Sequence, residues 1–512
     1  MFYSKGIFKG ILIALLLVFT TDAKSQSLDQ LVKRALERMA SKNYQGAIED
    51  FTLALEETPD DVNLFVNRSI AKRELKNYAG AIEDIGFALE VTPADPNLFF
   101  SRAFIKGLSG DAAGAIEDYN KAIKIGPANA NMYFNRGIEK ENLNNLQAAI
   151  LDYDKALQLN PKYGDVYFNR GVIKAKLNNH KAALLDFNKA IQIEAAADFY
   201  FSRAISKVAL NDHKGALEDY NNVIAQDSSV ENAFFNRALC KMKLNDFAGA
   251  LPDLDLALED NQSSADIYFN RGVALRSLQQ FKEAKEDFDR AIVLNPKNTD
   301  LFVNRGLIHL ELADTAAAID DFSSAIELNK KNVGAYFNRG IQYEKSGDFE
   351  AALEDYNSAL KLDPQYGDIY FNRGVVKAAL GDKKGALADY NICIRLKPKN
   401  AGAWYNRGLS KYAAKDYLGA IADYNKVIQL DPEMPNIFFN RGIAKGQLKQ
   451  YAAALADYDK AIEQDSGNGD IYLNRGIVKV ILKQAAGGCA DLQKAAALGN
   501  VTAVLEMEKS CK

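Results

Sequence analysis

An arginine returns every 34 residues along almost the whole chain, and the one exception is a spacing of 33 between Arg170 and Arg203. In most copies it follows an asparagine and precedes a small residue, as at residues 169–171. Self-similarity at a fixed period of about 20–50 residues is typical of chains built from stacked supersecondary units. The spacing therefore predicts one repetitive architecture over most of the 512 residues.

Each repeat has the pattern of two helices. With Leu28 as position 1 of the first unit, position 4 is aromatic in thirteen of fourteen units, positions 8 and 20 are small, position 24 is large and apolar, and position 27 is small. Steps of three and four residues place such side chains on one side of an α-helix. Corners rich in Asn, Asp and Gly, such as residues 177–179 and 346–348, separate the two patterns and predict a short turn.

The ends of the helices are marked as well. A proline near position 32, as at Pro161 and Pro364, is expected to stop the second helix. Asp or Asn at position 2 is predicted to cap the next first helix. Two irregularities stand out: the short repeat at residues 191–204, and Pro252, which is expected to loosen a turn of its second helix.

These residues resemble the tetratricopeptide-repeat (TPR) family, with an aromatic residue at 4, small at 8, Ala at 20, aromatic at 24, Ala at 27 and Pro at 32. The chain departs from that pattern at position 7, where Arg replaces Leu, and at position 11, where Lys is commonest and only Tyr343 keeps the aromatic residue. The resemblance implies an all-α fold, a right-handed superhelical solenoid of about fourteen helix-turn-helix units with a C-terminal capping helix. First helices would line its concave wall, and stacking of neighbours would supply the stability.

The predicted organisation is a signal peptide over 1–25, fourteen TPR units over 26–500 and a cap helix over 500–512. The units are 28–61, 62–95, 96–129, 130–163, 164–196, 197–230, 231–264, 265–298, 299–332, 333–366, 367–400, 401–434, 435–468 and 469–502.

The arginine at position 7 has an aspartate sixteen residues later in all fourteen units. Position 7 lies at the edge of the packed stripe, where a partly buried guanidinium needs a carboxylate. We therefore predict structural ion pairs that tie first helix to second, within a unit or across the joint between units. Representative pairs are Arg170 with Asp186, Arg271 with Asp287, and Arg373 with Asp389. The alternative is that the arginines bind acidic ligands.

Position 6 is asparagine in eleven units and lies on the side of the helix opposite position 4. An amide side chain has both a donor and an acceptor, so it matches the backbone of an extended peptide without reading its sequence. The row is similar to the inner-face asparagine ladder of the TPR superhelix in O-linked N-acetylglucosamine transferase. That resemblance implies peptide binding, and the alternative is that the asparagines only bridge adjacent helices. The candidates are Asn67, Asn135, Asn169, Asn236, Asn270, Asn304, Asn338, Asn372, Asn406, Asn440 and Asn474.

Positions 5 and 9 flank the asparagine and are apolar, as in Phe168 and Val172 or Phe371 and Val375. TPR proteins that clamp a carboxylate place Lys and Asn there, so this class of ligand fits poorly. We expect the apolar pair to pack between neighbouring first helices.

The first residues differ from the repeats. Lys5 and Lys9 precede the apolar run at residues 10–19, and a polar stretch with small residues follows. This order is typical of a secretory signal peptide, with cleavage predicted after Ser25 and, as the alternative, after Ala23. The apolar run is about half of the roughly 20 residues that a membrane-spanning helix needs, so a cleaved signal is favoured over the alternative of an uncleaved membrane anchor. No membrane span is expected after cleavage. The predicted location is the periplasm or cell surface of a bacterium, or the extracellular space.

Two of the four cysteines are predicted to form a disulfide. Cys489 lies ten residues before Gly499 and Cys511 twelve residues after it, so two helices that reverse at this corner bring them together. An exported chain permits that bond. Cys240 and Cys393 occupy packing positions of different units and are expected to be reduced core residues.

The composition excludes several classes of function. A net charge of −4, spread evenly, lacks the basic patch of a nucleic-acid binder. The chain has three histidines and no nucleophile elbow, phosphate loop or metal-spaced cluster, so we expect no enzyme, no cofactor and no metal. The sequence predicts a non-enzymatic, exported scaffold that binds an extended polypeptide or an envelope-complex component in its concave face. The alternative is a purely structural spacer or assembly element without a ligand.

Overall fold

The computed structural model describes residues 23–511, with side chains from residue 27 onward. The described part of the chain is all-helical and contains no strand. Its helices follow one another as helix-turn-helix pairs, and a single helix comes last. They group into two compact units, one that ends at Asp260 and one that runs from Asn261.

The helices of the unit that ends at Asp260 are α1 (Ala23–Ala40), α2 (Tyr44–Glu57), α3 (Val62–Glu74), α4 (Tyr78–Val91), α5 (Pro96–Leu108), α6 (Ala112–Ile125), α7 (Ala130–Asn142), α8 (Leu146–Leu159), α9 (Gly164–Lys176), α10 (His180–Ile193), α11 (Ala197–Ala209), α12 (His213–Gln226), α13 (Ala233–Lys243) and α14 (Phe247–Asp260). Odd numbers are the first helices of the repeats and even numbers are the second helices.

The helices of the unit from Asn261 are α15 (Ala265–Ser277), α16 (Phe281–Leu294), α17 (Thr299–Glu311), α18 (Thr315–Leu328), α19 (Val333–Ser346), α20 (Phe349–Leu362), α21 (Gly367–Ala379), α22 (Lys383–Leu396), α23 (Ala401–Ala413), α24 (Tyr417–Leu430), α25 (Ile437–Gln447), α26 (Tyr451–Gln464), α27 (Gly469–Ile481), α28 (Ala485–Ala497) and α29 (Val501–Ser510).

Within a pair, the small residue at position 8 makes room for the large residue at position 24. A Cβ added to Gly137 would come within 2.5 Å of the Tyr153 ring, and one added to Gly374 within 2.6 Å of the Tyr390 ring. These tyrosines are almost completely buried. The two helices of a repeat therefore pack around a ring that fills the space over a glycine.

The turn inside each repeat has one residue with a left-handed backbone, at position 15. This residue is Gly347 in one repeat (φ 82°), but it is Asn178 (φ 59°) or Ala313 (φ 61°) in others. At position 16, a side chain such as that of Asp348 then accepts a hydrogen bond from the backbone near the start of the second helix. The polar corner seen in the sequence is thus a left-handed turn followed by an N-cap.

The prediction that position 2 caps the first helices was wrong. In most repeats the helix starts at position 1, and the cap is the residue before it, as where Asp61 accepts from the backbone N–H of Asn63. Asn63 itself lies in the first turn. At Asn232 and Asn436 the position-2 residue does precede the helix, but its backbone is left-handed and its side chain makes no cap hydrogen bond.

The two irregularities leave the helices intact. Helix α14 continues through Pro252 from Phe247 to Asp260. In the short repeat, α11 follows α10 after only residues 194–196, and its N-cap residue, Ala196, has no side-chain cap.

The predicted signal peptide lies outside the described residues except for its last three, which fall at the start of α1. Among the described helices, none has both the length and the apolar character that crossing a bilayer requires.

Candidate peptide-binding face

Each position-7 arginine donates two parallel hydrogen bonds to the aspartate that lies sixteen residues later in the same repeat. Arg170 donates from Nε (2.9 Å) and Nη2 (2.6 Å) to Asp186. Arg271 meets Asp287 at 2.8 and 2.7 Å, and Arg373 meets Asp389 at the same two distances. The aspartates are buried, and two-point contact with a planar guanidinium is the strongest geometry for such a carboxylate.

A second cation completes most of these pairs, and the sequence analysis did not assign it. Lys377 Nζ lies 2.8 Å from the Asp389 carboxylate, which therefore faces Arg373 and Lys377 together. The signal was the lysine at position 11, one helical turn after the arginine. Equivalent contacts join Lys72 to Asp84, Lys106 to Asp118, Lys140 to Asp152, Lys174 to Asp186, Lys207 to Asp219, Lys241 to Asp253, Lys411 to Asp423, Lys445 to Asp457 and Lys479 to Asp491.

The electrostatic balance is visible at Asp118. Burial opposes ionisation of this carboxyl, but hydrogen bonds from Arg102 and Lys106 outweigh burial and lower its pKa. Two cations around one buried carboxylate thus keep it charged.

The same arginines also reach the preceding repeat. Where this contact is made, Nη1 donates to a polar side chain at position 25 of the repeat before, two residues after that repeat's own aspartate. The contacts join Arg68 to Thr52, Arg136 to Asn120, Arg170 to Asp154, Arg203 to Asn188, Arg237 to Asn221, Arg305 to Asp289, Arg339 to Ser323, Arg373 to Asn357, Arg407 to Asn391, Arg441 to Asn425 and Arg475 to Asp459. The arginines therefore act both within a repeat and across the joint, and their donors are directed at protein partners.

In most repeats the aromatic ring at position 4 lies under the guanidinium, although Arg339 lies over Tyr343 instead. The Arg407 guanidinium carbon is 4.6 Å from the centre of the Trp404 ring, and that of Arg170 is 5.5 Å from the centre of the Tyr167 ring. Such stacking fixes the arginine further.

All eleven position-6 asparagines are half-buried, so part of each side chain faces solvent. Asn135, Asn270, Asn304 and Asn474 donate to the backbone carbonyl one turn earlier in their own helices. Within the described residues, Asn67, Asn236, Asn338 and Asn406 make no side-chain hydrogen bond.

Some of these asparagines do contact the neighbouring repeat. Asn440 Nδ2 donates to the Tyr405 hydroxyl at 2.8 Å, and Asn304 accepts from Arg276 at 2.9 Å. The row thus combines asparagines that bridge repeats with asparagines whose amides are unused by the protein.

The apolar residues beside the asparagines behave in two ways. Position-5 rings pack on the position-24 ring of their own repeat, as Phe371 does on Tyr390 with ring centres 6.4 Å apart. Position-9 side chains keep some exposure, which is 46% at Ile205 and 37% at Leu409. The expectation that both positions are used for packing is therefore too broad, because position 9 leaves an apolar surface one turn after the asparagine. We call the position-6 and position-9 side chains of the first helices the asparagine face.

The cysteines divide into two pairs. Cys489 and Cys511 form a disulfide, with Cα atoms 5.7 Å apart, that ties α28 to the end of α29. Cys240 and Cys393 are free and buried, and burial raises the pKa of each thiol to about 11. Across the described part of the chain, no group of three or more His, Cys, Asp or Glu side chains is placed to hold a metal ion.

Comparison with known proteins adds sequence matches to this geometry. A protein-family model described as "TPR repeat" matches residues 108–138, 142–178 and 342–381. Models described as "Tetratricopeptide repeat" match residues 164–196, 201–266, 265–298, 299–332, 322–354, 367–400, 401–434 and 435–468. No curated protein matches the sequence significantly.

Several solved structures are similar to parts of the chain. YrrB, described as a TPR protein with an unusual peptide-binding site, is 26% identical over 37% of this chain and 98% of its own, with a TM-score of 0.33. A tetratricopeptide repeat protein from Parabacteroides merdae is 22% identical over 49% of this chain and 98% of its own, with a TM-score of 0.36. The C-terminal part of a TPR repeat-containing protein from Cytophaga hutchinsonii is 18% identical over 47% and 98%, with a TM-score of 0.41.

The repeat matches extend from residue 108 to residue 468, and the described helices follow one another as helix-turn-helix pairs. Repeats of this kind serve as scaffolds for contacts between proteins. The chain belongs to the tetratricopeptide-repeat family.

Proposed function

We propose that the chain is a non-enzymatic, exported interaction scaffold whose asparagine face holds an extended polypeptide. The observation that carries the proposal lies in the unit from Asn261. There, seven successive first helices, α15 to α27, carry an asparagine at position 6, and every one of these side chains is half-exposed.

The contacts of the neighbouring residues favour this role for asparagine. The arginine beside each asparagine already donates to an aspartate of the protein, so few of its donors remain for an acidic group of a ligand. Asn338 and Asn406 have amides without a side-chain hydrogen bond in the described residues. An amide donor and acceptor together pair with a peptide N–H and C=O.

A structural spacer is the second candidate, because the side chains of Asn440 and Asn304 form hydrogen bonds with adjacent repeats. In that role the row would stabilise the stack of first helices and need no ligand. The two candidates differ in what loss of the amides does: the spacer loses stability, whereas the scaffold loses its partner.

The test is affinity capture from the native host with the mature chain, followed by mass spectrometry. Replacing Asn338, Asn372, Asn406 and Asn440 with Ala should abolish recovery of a specific partner while the helical content and melting temperature are kept. Unchanged recovery by this folded variant would reject the scaffold role of the asparagines.

A matched control changes four exposed residues of second helices in the first two of these repeats to Ala: Glu350, Glu354 and Lys361 in α20, and Lys384 in α22. A partner counts as specific only when this control retains it.

Export has its own test. The disulfide between Cys489 and Cys511 supports an oxidising location, because such bonds persist mainly outside the reducing cytosol. We expect amino-terminal sequencing of the protein from its host to begin at Gln26, in the periplasm, at the cell surface or in the medium. A chain that retains Met1 in the cytoplasm would contradict the proposal.

A further inference from the structure

We propose that the ligand of the asparagine face is a polyproline-II segment that has an apolar side chain at every third residue and no acidic side chains. This inference rests on the proposed function and specifies its ligand. It concerns the unit from Asn261, where the face is uninterrupted.

The first step is the pairing of two rows on the same helices. Position 6 is asparagine in α15 to α27, and position 9 is aliphatic in the same seven helices. Residues three apart on a helix are surface neighbours, so each amide has an aliphatic side chain beside it. The aliphatic row consists of Val273, Leu307, Ile341, Val375, Leu409, Ile443 and Ile477, all partly exposed.

The second step is the period. Several pairs of successive first helices in this unit contact each other directly, namely α15 with α17, α19 with α21, and α25 with α27. Axes of packed helices lie about 8–10 Å apart. A ligand that crosses these helices therefore meets one amide and one aliphatic side chain about every 9 Å, and three residues of a polyproline-II helix advance by that amount.

The third step excludes a β-strand. Three strand residues advance about 10 Å, but the side chains of residues i and i+3 then point to opposite faces. A polyproline-II helix has three residues per turn, so every third side chain points the same way. Its backbone also has no internal hydrogen bonds, which leaves its carbonyls and remaining N–H groups free for the asparagine amides.

The fourth step is charge. The two rows carry no formal charge. Exposed Asp266 and Asp300 lie one turn before Asn270 and Asn304, at one edge of the face. They outnumber Arg276, the cation that donates to Asn304, so this edge is acidic. Asp470 holds the same place before Asn474, and it accepts a hydrogen bond from Asn500. This acidic edge repels carboxylates and attracts basic residues. Lys or Arg is therefore expected between the apolar residues of the ligand.

The experiment measures binding of synthetic peptides to the mature chain by fluorescence anisotropy at physiological salt. The probe has six copies of the tripeptide Val-Pro-Lys. Its isomer has the same composition, but its valines are spaced alternately two and four residues apart. We expect the periodic peptide to bind about tenfold more tightly, which is about 1.4 kcal/mol. Equal affinities for the two peptides would overturn the inference.

A variant separates the apolar row from the amides. Replacing Ile341, Val375 and Leu409 with Thr should remove the preference for the periodic peptide without unfolding the chain. The matched control places Thr at Leu328, Leu362 and Leu418, which are exposed on second helices, and should keep the preference. A preference that survives the loss of the aliphatic row would also overturn the inference.

The asparagine-to-alanine variant described above distinguishes the two levels of the proposal. If it loses both peptides while the unaltered chain binds them equally, the asparagine scaffold stands and the period-three ligand is wrong. If it binds both peptides as the unaltered chain does, the asparagine scaffold itself is wrong. A third peptide with Glu in place of Lys should bind at least about tenfold more weakly than the Lys peptide, and equal binding would refute the acidic edge.

Discussion

Nη1 of Arg170 lies 2.6 Å from Oδ1 of Asp154, a residue of the preceding repeat. The other donors of the same guanidinium hold Asp186 in its own repeat. One side chain therefore joins three helices, α8, α9 and α10. This arrangement, repeated along each unit, makes the charged residues part of the framework and leaves the asparagine face for the proposed ligand.

Asp389→Asn should lower the free energy of unfolding by about 3 kcal/mol, because it leaves Arg373 and Lys377 facing each other without an anion. The figure is at the low end for buried pairs, since both cations reach solvent. Urea unfolding followed by circular dichroism measures the loss. Arg373→Lys keeps the charge and should cost less, and a cost equal to that of Asp389→Asn would argue against two-cation compensation.

Gly86 occupies position 25, where other repeats offer a hydrogen-bond acceptor to the next arginine. A Cβ there would meet no atom within 4 Å. Gly86→Ala should stabilise the chain by about 1 kcal/mol through helix propensity alone. Compared with Gly86→Ala, Gly86→Asn should add a hydrogen bond from Arg102 worth about 1 kcal/mol, offset by roughly 0.5 kcal/mol because asparagine has a lower helix propensity than alanine.

A double-mutant cycle isolates that bond. Arg102→Lys removes the guanidinium. In that background, Gly86→Asn should change the stability only by the amount that helix propensity predicts. Identical effects of Gly86→Asn in both backgrounds would show that the acceptor at position 25 contributes nothing.

Ala313 holds a left-handed backbone, with φ at 61°. This conformation costs a residue with a Cβ roughly 1–2 kcal/mol. Glycine avoids that cost, but it loses more backbone entropy on folding than alanine does, and this loss cancels part of the gain. Ala313→Gly should therefore raise stability by about 0.5–1 kcal/mol in thermal melts. Gly347→Ala, at the same turn position, should lower stability by a similar amount, and a gain there would contradict the assignment of strain.

Glu139 is buried beside Gly107, and its carboxylate accepts a hydrogen bond from Asn142. Burial raises its pKa above the ordinary 4.5, and the Asn142 hydrogen bond offsets this only in part. The folded chain thus holds this proton more tightly than the unfolded chain does, so the contribution of Glu139 to stability falls as pH rises from about 4.5 through the raised pKa. Glu139→Gln should be more stable than the parent at neutral pH, and this difference should shrink toward acid pH in unfolding titrations. A difference that does not change with pH would contradict the raised pKa.

Reduction of the Cys489–Cys511 bond should loosen α29 specifically. The bond closes a loop with a sequence separation of 22, which the chain-entropy view values at about 3 kcal/mol. Hydrogen exchange should show faster exchange in α29 and α28 for Cys511→Ser, while helices far from the bond are unchanged. Cys393→Ser serves as a control for loss of a thiol, and protection of α29 that is equal in the parent and in Cys511→Ser would refute a role for the bond.

The period of the sequence was enough to predict the helix pairs, and the constant sixteen-residue offset between arginine and aspartate indicated which side chains meet. Contacts inside one repeat are local, so a helical wheel captures them. The acceptors of Arg170 and Arg373 at position 25 were not found, because that contact depends on how neighbouring repeats stack. A helical wheel also could not fix the residue at which α3 starts. The helix begins at Val62, so its cap is Asp61 and not Asn63.

The arginine contact toward the preceding repeat gives the array a direction. Shortening the chain from its carboxyl end leaves each remaining guanidinium with the same acceptors as before, whereas a start at Gly164 takes Asp154 away from Arg170. Amino-terminal deletions should therefore harm the first retained repeat more than carboxyl-terminal deletions of equal length harm the last. If fragments shortened from either end have equal free energies of unfolding, the direction of these contacts does not affect stability.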